Sequence, residues 1–270
     1  MATVSGTFEA GIESVAIPAT DSQSSDSRST NNLPAPSANS PIATGPVLSP
    51  TCLYPTHWTL ADLQAHLGDI PTERIRMFPP PGYATEQELI RLQETKEALC
   101  ELVDGVLVEK AVGAYESQLA MLIAYHLLDY LKANRIGFVL GESGPVRTIV
   151  PQIRMPDVCF VLRSHFADGR FPKKQKVLPI APDLAIEILS QSNTRKEMDR
   201  KLDEYFQSNT RLVWYIDPEA QTARVYTARD QVVEITGEQT LDGGDVLPGF
   251  SIILADLFAE ADGTEGEAGS

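Results

Sequence analysis

The sequence predicts an α/β fold in which a mixed central sheet is flanked by helices, with extra antiparallel hairpins at its margins. Three observations carry that expectation. Short β-rich runs alternate with amphipathic helical stretches rather than segregating from them. An Asp104-Gly105 dipeptide between two β-rich runs is a strong hairpin signature. Two apolar runs, residues 158–162 and 184–189, have the composition of core strands and carry an acid each, Asp157 at the start of one and Glu187 inside the other.

Taken in order, residues 1–55 are dominated by Ser, Thr, Asn, Pro and Ala. Such a segment buries too little apolar area to offset its ordering entropy, so a disordered tail is expected. Residues 56–98 read as an N-terminal helical arm. Thr59 suits an N-cap and Gly68 a stop for a short amphipathic helix. The turn-rich Met77-Phe78-Pro79-Pro80-Pro81-Gly82-Tyr83 precedes a polar helix over residues 85–96.

Residues 99–259 form the expected main domain. In the first hairpin, residues 101–109, Glu101 is either a plain exposed strand residue or points toward a site. The clearest helix covers residues 117–134, with Leu119, Leu122, Ile123, Leu127, Tyr130 and Leu131 on one face. That stripe runs back to Glu116, which either complements the helix dipole or aims a carboxylate into a cleft. His126 on the same face reads as a core residue rather than a metal ligand. A strand at residues 137–140 and a second hairpin, residues 146–149 with 153–162 around Pro151, follow. A loop, residues 164–179, holds Arg170, Lys173, Lys174 and Lys176. The strand at residues 184–189 leads to Thr194-Arg195-Lys196-Glu197, a capping-box pattern opening a helix to residue 208. A strand at residues 212–216, a closing hairpin (residues 224–226 with 232–235), a short helix at residues 254–258 and an acidic tail, residues 260–270, complete the chain.

Composition narrows the function. The 270-residue chain is 43% hydrophobic, enough for a sizeable core, and its formal net charge is -15. That charge argues against a protein that coats nucleic acid, which needs Lys and Arg to neutralise phosphate. Cys52, Cys100 and Cys159 form no CxxC, so neither a disulfide framework nor a zinc knuckle is indicated, and a reducing cytoplasm is the expected setting. No basic-then-apolar leader and no apolar run near 20 residues occurs, so neither export nor membrane insertion is expected.

Strand alternation puts Asp157 on a face with Cys159 and Val161, and Glu187 on a face with Ala185 and Leu189. If the two strands are neighbours, the acids lie about 5 Å apart at Cβ. Two carboxylates that close repel, and a hard divalent cation, Mg²⁺ or Mn²⁺, relieves the repulsion. On the next helix, Met198, Lys201, Leu202 and Tyr205 form the inward stripe, so Lys201 lies on the apolar face. It either snorkels, pairs with the acids, or orients water and stabilises phosphorane charge beside a metal. Residues 163–201 carry nine Lys/Arg and five Asp/Glu, a local surplus of positive charge that suits a phosphodiester. Plain structural readings stand beside these: a solvated basic loop, Asp157 accepting backbone N–H bonds, and Glu187 bridged to Lys201.

Glu101-Leu102-Val103-Asp104-Gly105, Met155-Pro156-Asp157-Val158, Ile186-Glu187-Ile188-Leu189-Ser190, the helix with Lys201 and Tyr205, Trp214-Tyr215-Ile216-Asp217-Pro218 and Leu247-Pro248-Gly249-Phe250 occur in that order. Together they resemble the Uma-two family of restriction endonuclease-like proteins, within the PD-(D/E)XK nuclease superfamily. The resemblance implies a restriction endonuclease-like fold, with Asp157 and Glu187 as catalytic acids and metal ligands. The superfamily lysine two residues after the glutamate is Leu189 here, and the family's lysine on the following helix falls on Lys201. Glu101 matches a recurrent acid of the family. Glu116 falls where superfamily members carry a first-helix carboxylate and where many relatives of this family carry a His. The implied function is a Mg²⁺- or Mn²⁺-dependent endonuclease hydrolysing DNA phosphodiester bonds, with DNA as partner and, by analogy with related nucleases, a homodimer. The alternatives are a catalytically inactive nuclease-fold protein that binds or regulates, and a metal hydrolase of a small phosphorylated substrate.

Overall fold

A computed structural model describes residues 53–111 and 113–264. Apart from residues 53–55, the expected tail lies outside the described residues, as does the chain after residue 264. The elements are α1 (Leu60–His66), α2 (Glu86–Thr95), β1 (Cys100–Val103), β2 (Val106–Glu109), α3 (Ala114–Ala133), β3 (Gly137–Gly141), β4 (Val146–Arg147), β5 (Ile153–Arg154), β6 (Val158–Leu162), β7 (Leu184–Ile188), α4 (Arg195–Gln207), β8 (Leu212–Asp217), β9 (Thr222–Ala228), β10 (Gln231–Thr236), β11 (Thr240–Asp242), β12 (Ser251–Ile253) and α5 (Leu254–Asp262).

The helix boundaries have local causes. Thr59 and Asp62 close a capping box at the start of α1, and Thr85 and Glu88 close one at α2. Helix α3 starts three residues earlier than the periodicity predicts, because Gly113 serves as N-cap and Glu116 becomes the third helical residue. Helix α5 runs four residues past its expected end and stops where Gly263 takes a left-handed φ of 66°. No helix among the described residues is long and apolar enough to cross a membrane.

The main sheet has the order β10-β9-β8-β7-β6-β3. Only β7 and β8 pair in parallel, with α4 as their crossover, and every other neighbouring pair in it is antiparallel. This is the mixed, helix-flanked sheet expected. A second sheet, β2-β1-β5-β4, contains the first two expected hairpins, the closing hairpin is β9-β10 of the main sheet, and the β11-β12 pair is one that the sequence reading does not include. One expectation needs correction. Residues 153–162 are not one strand: β5 joins β1 through Leu102 and Ile153, whereas β6 joins the main sheet. Met155-Pro156-Asp157 breaks the run, since Pro156 has no N–H to donate and restricts the residue before it.

The two faces of the main sheet bury different sets. Val158, Phe160, Leu184, Ile186, Ile188 and Trp214 pack with Leu119, Ile123 and Leu127 of α3 and with Leu254, Leu257 and Phe258 of α5. On the opposite face Ala185, Val213, Tyr215 and Tyr226 pack against Met198, Leu202 and Tyr205 of α4. By alternation Glu187 shares the α4 face with Ala185. The arm, residues 56–98, packs on the second sheet through Leu63, Leu67, Ile70 and Ile75, and through Leu89 and Leu92.

Gly137 opens the edge strand β3 where a Cβ would lie 2.3 Å from the Phe160 ring and 2.4 Å from the Val161 carbonyl oxygen. Gly137→Ala is therefore expected to destabilise the fold by about 1–3 kcal/mol through overpacking. Urea unfolding should show a lower midpoint with an unchanged m-value.

Candidate active site

The β6–β7 ladder pairs Val158 with Ile186 and Phe160 with Leu184. Continuing that register one residue sets Asp157 opposite Glu187. Asp157 precedes β6 rather than lying within it, and closes the end of the ladder by accepting the Ile188 N–H at Oδ2, 2.7 Å. Its Oδ1 accepts from Lys110 Nζ at 2.7 Å, and the same ammonium donates to the Met155 carbonyl at 2.6 Å. Glu187 points at α4. Its Oε1 accepts from the Tyr205 hydroxyl at 2.6 Å, and Lys201 Nζ stands 3.2 Å from both of its oxygens.

Lys201 also lies 3.3 Å from Oε1 of Glu101, so one ammonium bridges a carboxylate from each sheet. Of the two sequence options for Glu101, the exposed one does not hold, for its side chain is 1% exposed and ion-paired. Glu101 further accepts from Arg154 at 2.8 Å and from the Met155 N–H at 3.1 Å. Arg154 makes a bidentate pair with Glu204 at 2.6 and 2.8 Å. Arg200 then links Glu204 at 2.9 Å to Asp104 in the hairpin turn at 2.6 Å.

Glu116 stands apart. Its carboxylate lies over the N-cap, where a Cβ on Gly113 would come within 1.8 Å of Oε2. It borders an open cleft of about 810 Å³ with Ser190, Arg195, Asp217 and Arg224, which does not include Asp157, Glu187 or Lys201. The dipole-complementing reading is the one this placement favours. His126 is part-exposed rather than in the core, with Nε2 at 2.7 Å from Glu260 of α5. The basic loop leaves β6 at Leu162, the end of the strand away from Asp157, and its Lys176 pairs with Glu94 of α2 at 3.0 Å.

Sequence reasoning missed Lys110, Arg154 and the bond from Tyr205 to Glu187. Two of these had a signal. Alternation in the first hairpin places Lys110 on the face of Val108, whose cross-strand partner is Glu101. Arg154 sits between Ile153 and Met155 in an apolar stretch, and a charge there requires a buried partner.

The electrostatics follow from burial and pairing. Burial lowers the Lys201 pKa, but Glu101 and Glu187 outweigh it and hold the ammonium well above the ordinary lysine range. Lys201 is thus a fixed cation rather than a proton acceptor. Burial raises Glu101, yet Lys201 and Arg154 overcome it and the net shift is downward. Glu187 goes the other way: burial raises it, Lys201 opposes, and the facing Asp157 raises it again. Burial pushes the Cys159 thiol up to about 12, so no thiolate nucleophile is present beside the acids.

Among the described residues no three His, Cys, Asp or Glu side chains converge as a ready-made metal cage. The donor set still suits a hard cation that keeps water and phosphate ligands. Both oxygens of Asp157, and Oε2 of Glu187, accept one hydrogen bond each and retain a lone pair. The Asp157 side chain is 16% exposed against 5% for Glu187, so solvent reaches the pair from the Asp157 side.

The Uma2 family model, described as a putative restriction endonuclease, matches residues 86–256. The match takes in Glu101, Lys110, Glu116, Asp157, Glu187 and Lys201, and leaves residues 53–85 outside it. A solved structure, a putative nuclease belonging to DUF820 from Anabaena variabilis ATCC 29413, has a similar fold, with a TM-score of 0.54 at 20% identity over 61% of this chain and 92% of that one. No curated protein matches the chain.

Removing Lys201 leaves buried Glu187 without its cationic partner and facing Glu101, which keeps Arg154, so Lys201→Met is expected to cost about 3–5 kcal/mol. Adding Glu101→Gln should return part of that loss, a non-additivity that a double-mutant cycle in urea measures. Glu101, Glu197 and Glu204 all have depressed folded pKa values. Their stabilisation is therefore complete above the unfolded carboxyl pKa of about 4.3 and is lost as pH falls below it. Thermal unfolding from pH 7 to pH 3 should show a steep loss below that point, shallower in Glu101→Gln.

Proposed function

Because the chain belongs to the Uma2 family, we propose that it is a Mg²⁺- or Mn²⁺-dependent endonuclease that hydrolyses DNA phosphodiester bonds. The observation that carries this reading is the Asp157–Glu187 pair, set opposite each other by the β6–β7 register, with the Lys201 ammonium against Glu187. Asp157 and Glu187 would hold the cation, which supplies a polarised phosphoryl oxygen and an activated water when bound.

The remaining work falls to the chain's own side chains. Lys201 stabilises negative charge developing on the phosphoryl group and orients the attacking water, and as an ammonium it does not take the proton. Tyr205 and Lys201 fix the orientation of Glu187. Lys110 and the Ile188 N–H fix Asp157. Glu101, held by Arg154, fixes Lys201 from the opposite side. Glu116 borders the adjoining cleft and stands apart from the acid pair. The reading includes a homodimer, and a cytoplasmic setting with which the free, buried Cys100 and Cys159 agree.

One observation favours a second reading, a catalytically inactive nuclease fold that binds or regulates. Every acid of the cluster already has a buried cationic partner, in a chain whose net charge of -15 repels DNA.

The discriminating assay is nicking of supercoiled plasmid with Mg²⁺ or Mn²⁺. Wild-type protein should nick it, and Asp157→Ala and Lys201→Met should each lose about a hundredfold or more of the rate. Intact plasmid with wild-type protein at every metal concentration would favour the inactive reading.

A further inference from the structure

Residues 53–85 lie outside the matched family region, yet they grip the helix that carries Lys201. Gly68, just past α1, has φ +93° and lies so close to α4 that a Cβ would stand 2.7 Å from the Glu197 nitrogen. The hydroxyl of Thr194, the N-cap of α4, donates to the Gly68 carbonyl. Lys196 pairs with Asp69 at 2.5 Å.

The turn Thr72–Arg74 then buries Arg74, whose side chain is 9% exposed. Its two terminal nitrogens clamp Glu197, Nη1 to Oε2 at 2.9 Å and Nη2 to Oε1 at 2.7 Å. Nε donates to the Glu109 carbonyl at 2.8 Å and Nη1 to the Ser192 carbonyl at 3.3 Å. One side chain thus joins the end of β2, the loop before α4 and the first turn of α4. Glu109 is the neighbour of Lys110, and Glu197 lies one helical turn before Lys201.

The fate of Glu197 argues that this is more than packing. The pattern from Thr194 to Glu197 is that of a capping box, and the Thr194 half forms, with the Glu197 N–H donating to Oγ1 at 3.0 Å. The reciprocal bond is missing because the Glu197 carboxylate turns to Arg74. A buried Arg–Glu pair contributes little stability compared with an apolar pair of the same volume. What the planar, two-pronged guanidinium supplies is a fixed angle and register.

We propose that residues 67–74 form a clamp, supplied by the chain itself, that sets the placement of Lys201 and Lys110, with Arg74 as the positioning residue. The proposal rests on the reading that Lys201 belongs to the active site. Its test compares full-length wild type, Arg74→Met and Arg74→Lys by native hydrogen exchange and by Mn²⁺-supported plasmid nicking. In Arg74→Met the α4 amides should exchange about tenfold faster while those of β7 and β8 keep their rates, with Arg74→Lys intermediate. The kcat of nicking should fall by about a hundredfold with KM unchanged, as a small misplacement of a charged group predicts. Unchanged exchange in α4, or equal acceleration of α4 and the sheet, would overturn the clamp. Arg74→Lys gives the same comparison if Arg74→Met does not fold. Should wild-type protein nick no plasmid, the nuclease reading falls while the exchange data still decide whether the clamp exists.

Discussion

Lys201 between two buried carboxylates is the interaction on which the site depends. Its side chain is 3% exposed, and it faces Glu187 of the main sheet and Glu101 of the second sheet at once. An isolated ammonium at that depth would cost several kcal/mol, and each acid alone would cost as much. Together they are tolerable only if both sheets and α4 hold one arrangement. Burial pushes the Glu187 pKa up, Lys201 opposes it and the facing Asp157 adds to it, so Glu187 is the acid of the cluster that its partners hold least firmly as a carboxylate.

The network does not stop at Lys201. Through Glu101 it reaches Arg154, Glu204, Arg200 and Asp104, and the arm's His66 completes it with Nε2 at 2.8 Å from Asp104. Arg74 and Glu197 form a parallel strut from the same arm. Helix α4 is thus held from both sides, by Glu187, Glu101 and Tyr215 within the matched region and by residues 66–74 beyond it. Pairing on this scale explains how a lysine can sit on the buried face of a helix without dissolving its packing.

Much of this was legible in the sequence because it follows from period. Alternation put Glu187 on the face of Ala185, and the three-and-four spacing put Lys201 inward, and the packing of α4 on the sheet agrees with both. The mixed sheet followed from the order of elements. What was not legible depends on which elements meet. Lys110 and Arg154 carry a local signal of burial, but their partners, Asp157 and Glu204, come from other elements and emerge only when those elements meet. The run across Met155-Pro156 reads as one strand by composition, and only the missing N–H of Pro156 divides it between two sheets. Glu197 satisfies a local capping pattern that a distant arginine overrides. Glu116 lies on the extended stripe of α3, yet its carboxylate covers Gly113 instead of joining the acids.

The central claim is that Asp157 and Glu187 hold one divalent cation. Calorimetric titration of Mn²⁺ into wild-type protein and Asp157→Asn tests it without reference to any substrate. The account predicts a single binding event in the wild type that disappears in Asp157→Asn while the variant keeps its far-UV spectrum. Absence of binding in the wild type, or binding that survives in Asp157→Asn, would contradict it.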